Sequence, residues 1–416
     1  VATLILNASQ LLTMAGSPGP RAGRDKGATG LLRNGAVLIE EGLILAAGPT
    51  ERVLAHPRAK GASRVSAAGG VIAPGFVDAH THPLFASPRL DDFEGRIAGA
   101  TYADLAARGG GILSTVAGVR GTPEAELAAG LRRRVADFLA CGTTTIEAKS
   151  GYGLDVENEL KMLRALRTVS ALGPLEIVAT LLGAHAVPPE LRGRKDEYVE
   201  RVCAEMIPRA AAEGLAKFVD VFCEQGYFGL ADLEKVAAAG AKAGLGLKVH
   251  SEQLSRMGSL PASVKLKAVS ADHLDHADEA TFAALAASGT VACLVPGSNY
   301  FLAKPYPPAR RLLDSGAAVA LATDFNPGTC PCWDMRTVIS IACTQMKMTP
   351  AEALVAATIN GAHAAGLGAT HGSLEAGKTA DLVCHEAEDW REIAYYFGAP
   401  KVRWTMKRGE IVHGAA

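Results

Sequence analysis

The sequence has no hydrophobic run of the roughly 18 residues that a membrane-spanning helix needs, so no membrane anchor of that kind is expected. Its first ten residues, Val1 to Gln10, carry no basic residue ahead of a short apolar stretch, which argues against a secretory leader. Neither sign of charge dominates: 42 Lys and Arg face 43 Asp and Glu. A polyanion such as nucleic acid therefore finds no electrostatic footprint. There is no Cys-x-x-Cys pair, and the eight cysteines at 141, 203, 223, 293, 330, 332, 343 and 384 are scattered, as suits a reducing compartment such as the cytoplasm. No Gly-x-Gly-x-x-Gly follows a strand-like run and no nucleophile elbow occurs, which removes the usual dinucleotide and serine-hydrolase readings.

The chain of 416 residues is long enough for two or three domains, or for one large barrel with an appendage. Strand-like patterns open it at Thr3 to Leu12 and Ala36 to Ala46, separated by a Gly/Pro/Arg-rich loop from Gly16 to Gly30. They close it at Ala380 to His385 and Val402 to Val412, so both termini read as β-structure. Between them, eight short apolar runs alternate with helical-period segments. The runs are 76–80, 143–148, 175–183, 218–222, 245–250, 268–273, 290–295 and 317–324. Leu127, Leu131, Val135 and Phe138 repeat at spacings of 4, 4 and 3, one face of a helix packed on a sheet. Eight β-α units over this length predict an α/β fold, a (β/α)8 TIM barrel with its chemistry at the C-terminal ends of the strands.

Those ends carry His80 and His82, Glu147 and Lys149, His185, Glu224, His250, His273, Asn299 and Asp324. His80 and His82 are two apart on an extended segment, so both imidazoles point the same way. With His250 across the barrel and Asp324 beside the first strand they make a three-nitrogen, one-oxygen set for a metal, with a position left for water.

The run Pro74-Gly75-Phe76-Val77-Asp78-Ala79-His80-Thr81-His82, with His250, His273 and Asp324, resembles the amidohydrolase superfamily. Gly109 to Ile112, Glu147 to Gly153, Gly183-Ala184-His185, Ser270 to Leu274 and Thr323 to Thr329 resemble, within it, the branch that opens the ring of imidazolone propanoate in histidine breakdown. The resemblance implies a metal-dependent cyclic amidase with a small β-domain built from residues 1–70 and 373–416 around a barrel of 71–372. It implies one zinc or iron ion per chain, held by His80, His82, His250 and Asp324, and a homodimer acting on a small molecule, with no nucleic acid or membrane partner. Some relatives hold two metals through a lysine at the end of the fourth strand. Here the nearest lysine, Lys217, lies at the opposite end, which favours a single ion.

Three residues after His250, where deaminases on this barrel carry a proton-shuttling glutamate, stands Gln253. An amide takes no proton at neutral pH, so Gln253 can only orient substrate. Proton transfer falls to Asp324 with help from His273, Glu252 being a weaker candidate for the catalytic set. The resemblance assigns the substrate to Arg89, Tyr102, Tyr152, His185, Gln253, Asn326, Gly328 and Thr329, with Arg89 and Tyr152 on the propanoate tail. The Cys330-Pro331-Cys332 run reads as loop packing. The rival readings are a cyclic amidine or nucleobase deaminase on the same barrel, and a non-catalytic scaffold, which would be expected to have lost metal ligands.

Overall fold

The computed structural model describes residues 1–100, 104 and 108–415. Eight parallel strands form a barrel: β1 (Phe76–Thr81), β2 (Thr143–Lys149), β3 (Glu176–Ala184), β4 (Phe218–Cys223), β5 (Gly246–Ser251), β6 (Ser270–His273), β7 (Val291–Leu294) and β8 (Val319–Leu321). Each pairs in parallel with the next. The seam between β8 and β1 is closed by the segment after β8: the Asp324 amide donates to the His80 carbonyl at 3.0 Å, and the His82 amide to the Phe325 carbonyl at 2.8 Å. Asp78 completes the seam, accepting from the Thr323 amide at 2.9 Å and from its hydroxyl at 2.5 Å.

Parallel strands covered on both faces must be buried throughout, and β1, β2 and β4 are buried at every position. The helix Glu124–Ala140 presents Leu127, Leu131, Val135 and Phe138 inward, with the Phe138 ring against Phe325 at 5.5 Å. Each such aliphatic side chain taken from water contributes about 1.5 to 3 kcal/mol. Alternation along each strand sends the other set of side chains to the barrel axis. Here that set is polar: Asp78 and His80 on β1, Glu147 and Lys149 on β2, Asp220 on β4, Lys248 and His250 on β5, Ser270 and Asp272 on β6, all buried.

Among the described residues two further sheets pack on one another from the two termini. One orders the strands 43–49, 35–40, 3–6 and 63–66; the other orders 410–414, 402–407, 382–385, 71–74, 10–12 and 31–33. Their shared core holds Ile5, Leu11, Val37, Ile72, Leu382, Trp404 and Met406. The single strand expected over Thr3 to Leu12 is in fact two, Thr3–Leu6 and Gln10–Leu12, one in each sheet. The break is at Asn7, which takes φ 59°, a left-handed conformation Asn tolerates and an extended strand cannot hold. Lys407 ties the six-stranded sheet to the floor of the barrel, 2.6 Å from Asp381 and 3.1 Å from Glu176 at the start of β3. No helix among the described residues is long and apolar enough to cross a membrane.

Candidate metal-dependent active site

The C-terminal ends of the strands open into a cavity of about 540 Å³ lined by His82, His250, His273 and Asp324 on its floor. His80, His82 and His250 form one group of donor atoms within 4.8 Å of one another, and His80, His273 and Asp324 form another. The Nε2 atoms of His80 and His82 are 3.3 Å apart, and the Asp324 carboxylate is 3.7 Å from the first and 3.6 Å from the second. Three of these positions depend on backbone bends at the strand ends: Asp324 has φ 54°, His273 φ 80° and, beside His250, Glu252 has φ 53°. Left-handed values at non-glycine residues are costly, and they cluster where a fold re-aims side chains for function.

The chemistry of this donor set fits a divalent cation. Burial holds His80, His82 and His273 well below the ordinary histidine range, so the imidazoles are neutral and keep lone pairs. The Nδ1 of His80 sits 2.6 Å from Asp272, which fixes the proton there and leaves Nε2 free to bind. Nδ1 of His250 is 3.1 Å from Asp220. Both nitrogens of His273 are buried without a hydrogen-bond partner among the described residues, which a ligand in the cavity would supply. Burial pushes Asp324 up well above the usual carboxylate range, and a cation at the cluster reverses that bias. His273, expected only as a catalytic group, thus also stands among the donor atoms.

The wall of the cavity is built by two loops. After β2, the segment Ser150 to Leu154 wraps the carboxylate of Glu159, which accepts from the amides of Gly151, Gly153 and Leu154 at 2.8 to 2.9 Å. That presents Tyr152 to the cavity. Gly151 has φ 96°, and a Cβ there would stand 2.8 Å from Nδ1 of His185, whose ring bonds the Gly151 carbonyl at 2.9 Å. His185 in turn stacks on His82 at 5.4 Å. After β8, Asn326 folds the second loop, accepting from the amides of Gly328 at 2.8 Å and Thr329 at 2.7 Å. A Cβ on Gly328 would lie 2.5 Å from the Arg89 guanidinium, so the glycine makes room for that arginine. Arg89 is held by Thr115 at 2.8 Å and bonds the Tyr152 hydroxyl, whose pKa burial pushes up.

Arg89, Tyr152, His185, Gln253, Asn326, Gly328 and Thr329 therefore all line one cavity with the metal-binding group. Tyr102 lies outside the described residues. Glu252 is the exception: its side chain turns from the cavity, and its carboxylate accepts from the amides of Gly258 at 3.1 Å and Leu260 at 3.5 Å. The bend at Glu252 and the carboxylate of Glu224, which accepts from the Gln253 amide at 2.5 Å, swing Gln253 inward instead. A glutamine can still accept those amide bonds, so Glu252→Gln should change kcat by less than about tenfold, roughly 1.4 kcal/mol of barrier. A larger loss in steady-state assays would bring that carboxylate into the chemistry.

Sequence reasoning missed Arg96 and Lys304, which also line the cavity, Arg96 donating to the Gly328 carbonyl at 2.6 Å. It also missed the roles of Asp220 and Asp272 behind the histidines. Nothing in the local pattern signals them, because the contacts cross between strands: Asp220 on β4 reaches His250 on β5, and Asp272 on β6 reaches His80 on β1.

The fold and the donor set define a metal-dependent hydrolase of the barrel type, and the sequence profile of the amidohydrolase family matches residues 71–412. The chain belongs to that family and, within it, to the imidazolonepropionases. It is 44% identical to the imidazolonepropionase of Symbiobacterium thermophilum over 98% of its own length and 96% of the relative's. It is also 44% identical to that of Solibacter usitatus, over 98% of each. Among solved structures it superposes on an adenosine deaminase from Xanthomonas campestris with bound zinc, at TM-score 0.73 and 20% identity over 99% and 93% of the two chains. A guanine deaminase from Escherichia coli gives 0.71 at 16% over all of both. These two likenesses establish the fold alone.

Proposed function

We propose that the cavity hydrolyses the ring amide of 4-imidazolone-5-propanoate to N-formimidoyl-L-glutamate, a step of histidine degradation, with zinc or iron as the ion. The observation that carries this reading is the pair of half-buried Arg89 and buried Tyr152 facing the histidine and aspartate group across one cavity. A substrate with a carboxylate at one end and a cyclic amide at the other fits between them. Full-length relatives named imidazolonepropionase support it.

A bound divalent ion supplies Lewis acidity and brings a water towards hydroxide at neutral pH. The chain's own residues do the rest. His80, His82, His250 and Asp324 would hold the ion. Arg89 and Tyr152 fix the propanoate, with Asn326, Gly328 and Thr329 shaping the loop against it. Gln253 and His185 orient the ring by donating and accepting without exchanging protons at neutral pH. Asp324 accepts the proton of the attacking water and returns it to the leaving ring nitrogen, and His273 donates a hydrogen bond to the oxygen on which negative charge develops. The carbonyl–nitrogen bond breaks and the carbonyl becomes a carboxylate. A homodimer, and a division into a β-domain of residues 1–70 and 373–416 around a barrel of 71–372, belong to the same proposal; light scattering and limited proteolysis test them.

Incubation of the metal-loaded protein with imidazolone propanoate should yield a dicarboxylate without ammonia. Ammonia release from the ring would instead favour a deaminase, the activity named for the two fold neighbours, and no turnover would favour a scaffold. Substrate selection rests on Arg89. A charged bidentate bond is worth about 1.5 to 3 kcal/mol, so Arg89→Ala should lower kcat/KM by roughly tenfold to a few hundredfold with metal content unchanged. An imidazolone lacking the carboxylate should be a poor substrate for the parent and little worse for the variant. Undiminished discrimination in the variant would remove Arg89 as the anchor.

A further inference from the structure

We propose that Lys149 is a positioning residue of the metal centre, holding Asp220 and Asp272 where they lock His250 and His80 onto the ion. The inference rests on the metal-dependent reading above and adds a residue to it.

Lys149 lies on β2, wholly buried, with no solvent to satisfy its ammonium. Its Nζ is 2.8 Å from Asp220 Oδ2, 2.9 Å from Glu147 Oε1 and 3.7 Å from Asp272 Oδ2. Each of these oxygens has a second neighbour, Thr180 bonding Glu147 Oε1. Asp220 Oδ2 is 3.1 Å from Nδ1 of His250, and Asp272 Oδ2 is 2.6 Å from Nδ1 of His80. The atoms that face the lysine are thus the atoms that orient two of the ligand imidazoles, and a carboxylate rotation that loses one contact loses the other.

The other oxygens are held by separate groups. Asp220 Oδ1 accepts from the His250 amide at 3.1 Å, and Asp272 Oδ1 from Ser270 at 2.5 Å. Lys248 supports Ser270 at 2.5 Å and stands 3.6 Å from Asp272 Oδ2, an oxygen that Lys149 and His80 also face. Each of these secures one carboxylate from one side; Lys149 reaches all three. Three carboxylates converging on a buried point repel one another, and of the two buried ammoniums here, Lys149 and Lys248, only Lys149 stands among all three, which lets Asp220 and Asp272 face their histidines together. His82 differs in having no carboxylate of this network beside its buried Nδ1; its neighbouring carboxylate is Asp324, 3.6 Å from Nε2.

A ligand-orienting contact of this kind is worth about 10- to 100-fold in metal affinity. The test measures zinc binding of the full chain by competition with a chromophoric chelator, and the visible spectrum of the cobalt-substituted protein, in Lys149→Met and in Glu147→Gln/Lys149→Met. The double variant replaces the Glu147–Lys149 ion pair with neutral groups and guards against misfolding of the single one. Zinc affinity should fall about 10- to 100-fold in whichever variant folds, with an altered cobalt spectrum. In an Asp220→Asn/Asp272→Asn background, adding Lys149→Met should cost little more, because the lysine acts through those carboxylates. Parent-like zinc affinity and cobalt spectrum in a folded variant would overturn the proposal and leave Lys149 as support for the fold only. A full further loss in the doubly amidated background would overturn it as well. Neither readout uses turnover, so a failure of the substrate assignment leaves this test intact.

Discussion

Asp324→Asn should abolish all but a trace of turnover. The carboxamide keeps the size of the side chain, and the Asp324 backbone bonds that close the barrel and receive Asn326 are unaffected by it. What it loses is the capacity to take a proton from water and return it to the ring nitrogen, because an amide does not titrate at neutral pH. General acid–base catalysis contributes about 10²- to 10⁴-fold, so kcat of the metal-loaded variant should fall by that factor, roughly 3 to 5 kcal/mol of barrier. Metal content must be measured on the same sample, since Asp324 also stands among the donor atoms. If the loaded variant keeps more than about a tenth of parental kcat, a loss under roughly 1.4 kcal/mol, the proton carrier is another group, and His273 is the nearest candidate.

The His80→Ala/His82→Ala double variant should purify without its ion and without activity. The two imidazoles provide half of the proposed ligand set, and among the described donor groups only His250, His273 and Asp324 would remain at the cluster. A ligand that binds only the folded chain stabilises it in proportion to its occupancy, by about 2.7 kcal/mol at a hundredfold excess over Kd. A chelator should therefore lower the melting temperature of the parent and leave that of the double variant where it is. Stoichiometric metal in the variant, or two equivalents in the parent, would dismantle the mononuclear site.

The barrel was legible because its signals are local and repeated. Each of the eight apolar runs coincides with a strand of the barrel, and the polar residue ending most of them sits at the cavity. The strand periodicity also placed His80 and His82 side by side. The sequence hid what depends on single backbone bends and on contacts between strands. Asn7 breaks an apparently continuous strand, and Glu252 exchanges places with Gln253 at the cavity, each through one positive φ. Alternating charges such as Glu147 and Lys149 look like surface pattern until closure of the barrel turns that face inward.

The seam between the first and last strands has a consequence for how the molecule matures. Asp78 and Thr323, which bond across it, are 245 residues apart, and the neighbouring amide–carbonyl bond joins Asp324 to His80. Contacts of such separation carry a high loop-closure cost and form late. The donor atoms are therefore scattered in any intermediate in which the eighth strand has not yet docked, and such a species has a mutilated ligand set. Acquisition of the ion then reports completion of the ring: time-resolved metal uptake during refolding should lag the recovery of helical signal. A chain cut before residue 319 should be unable to capture the ion with native affinity, however much helix it regains.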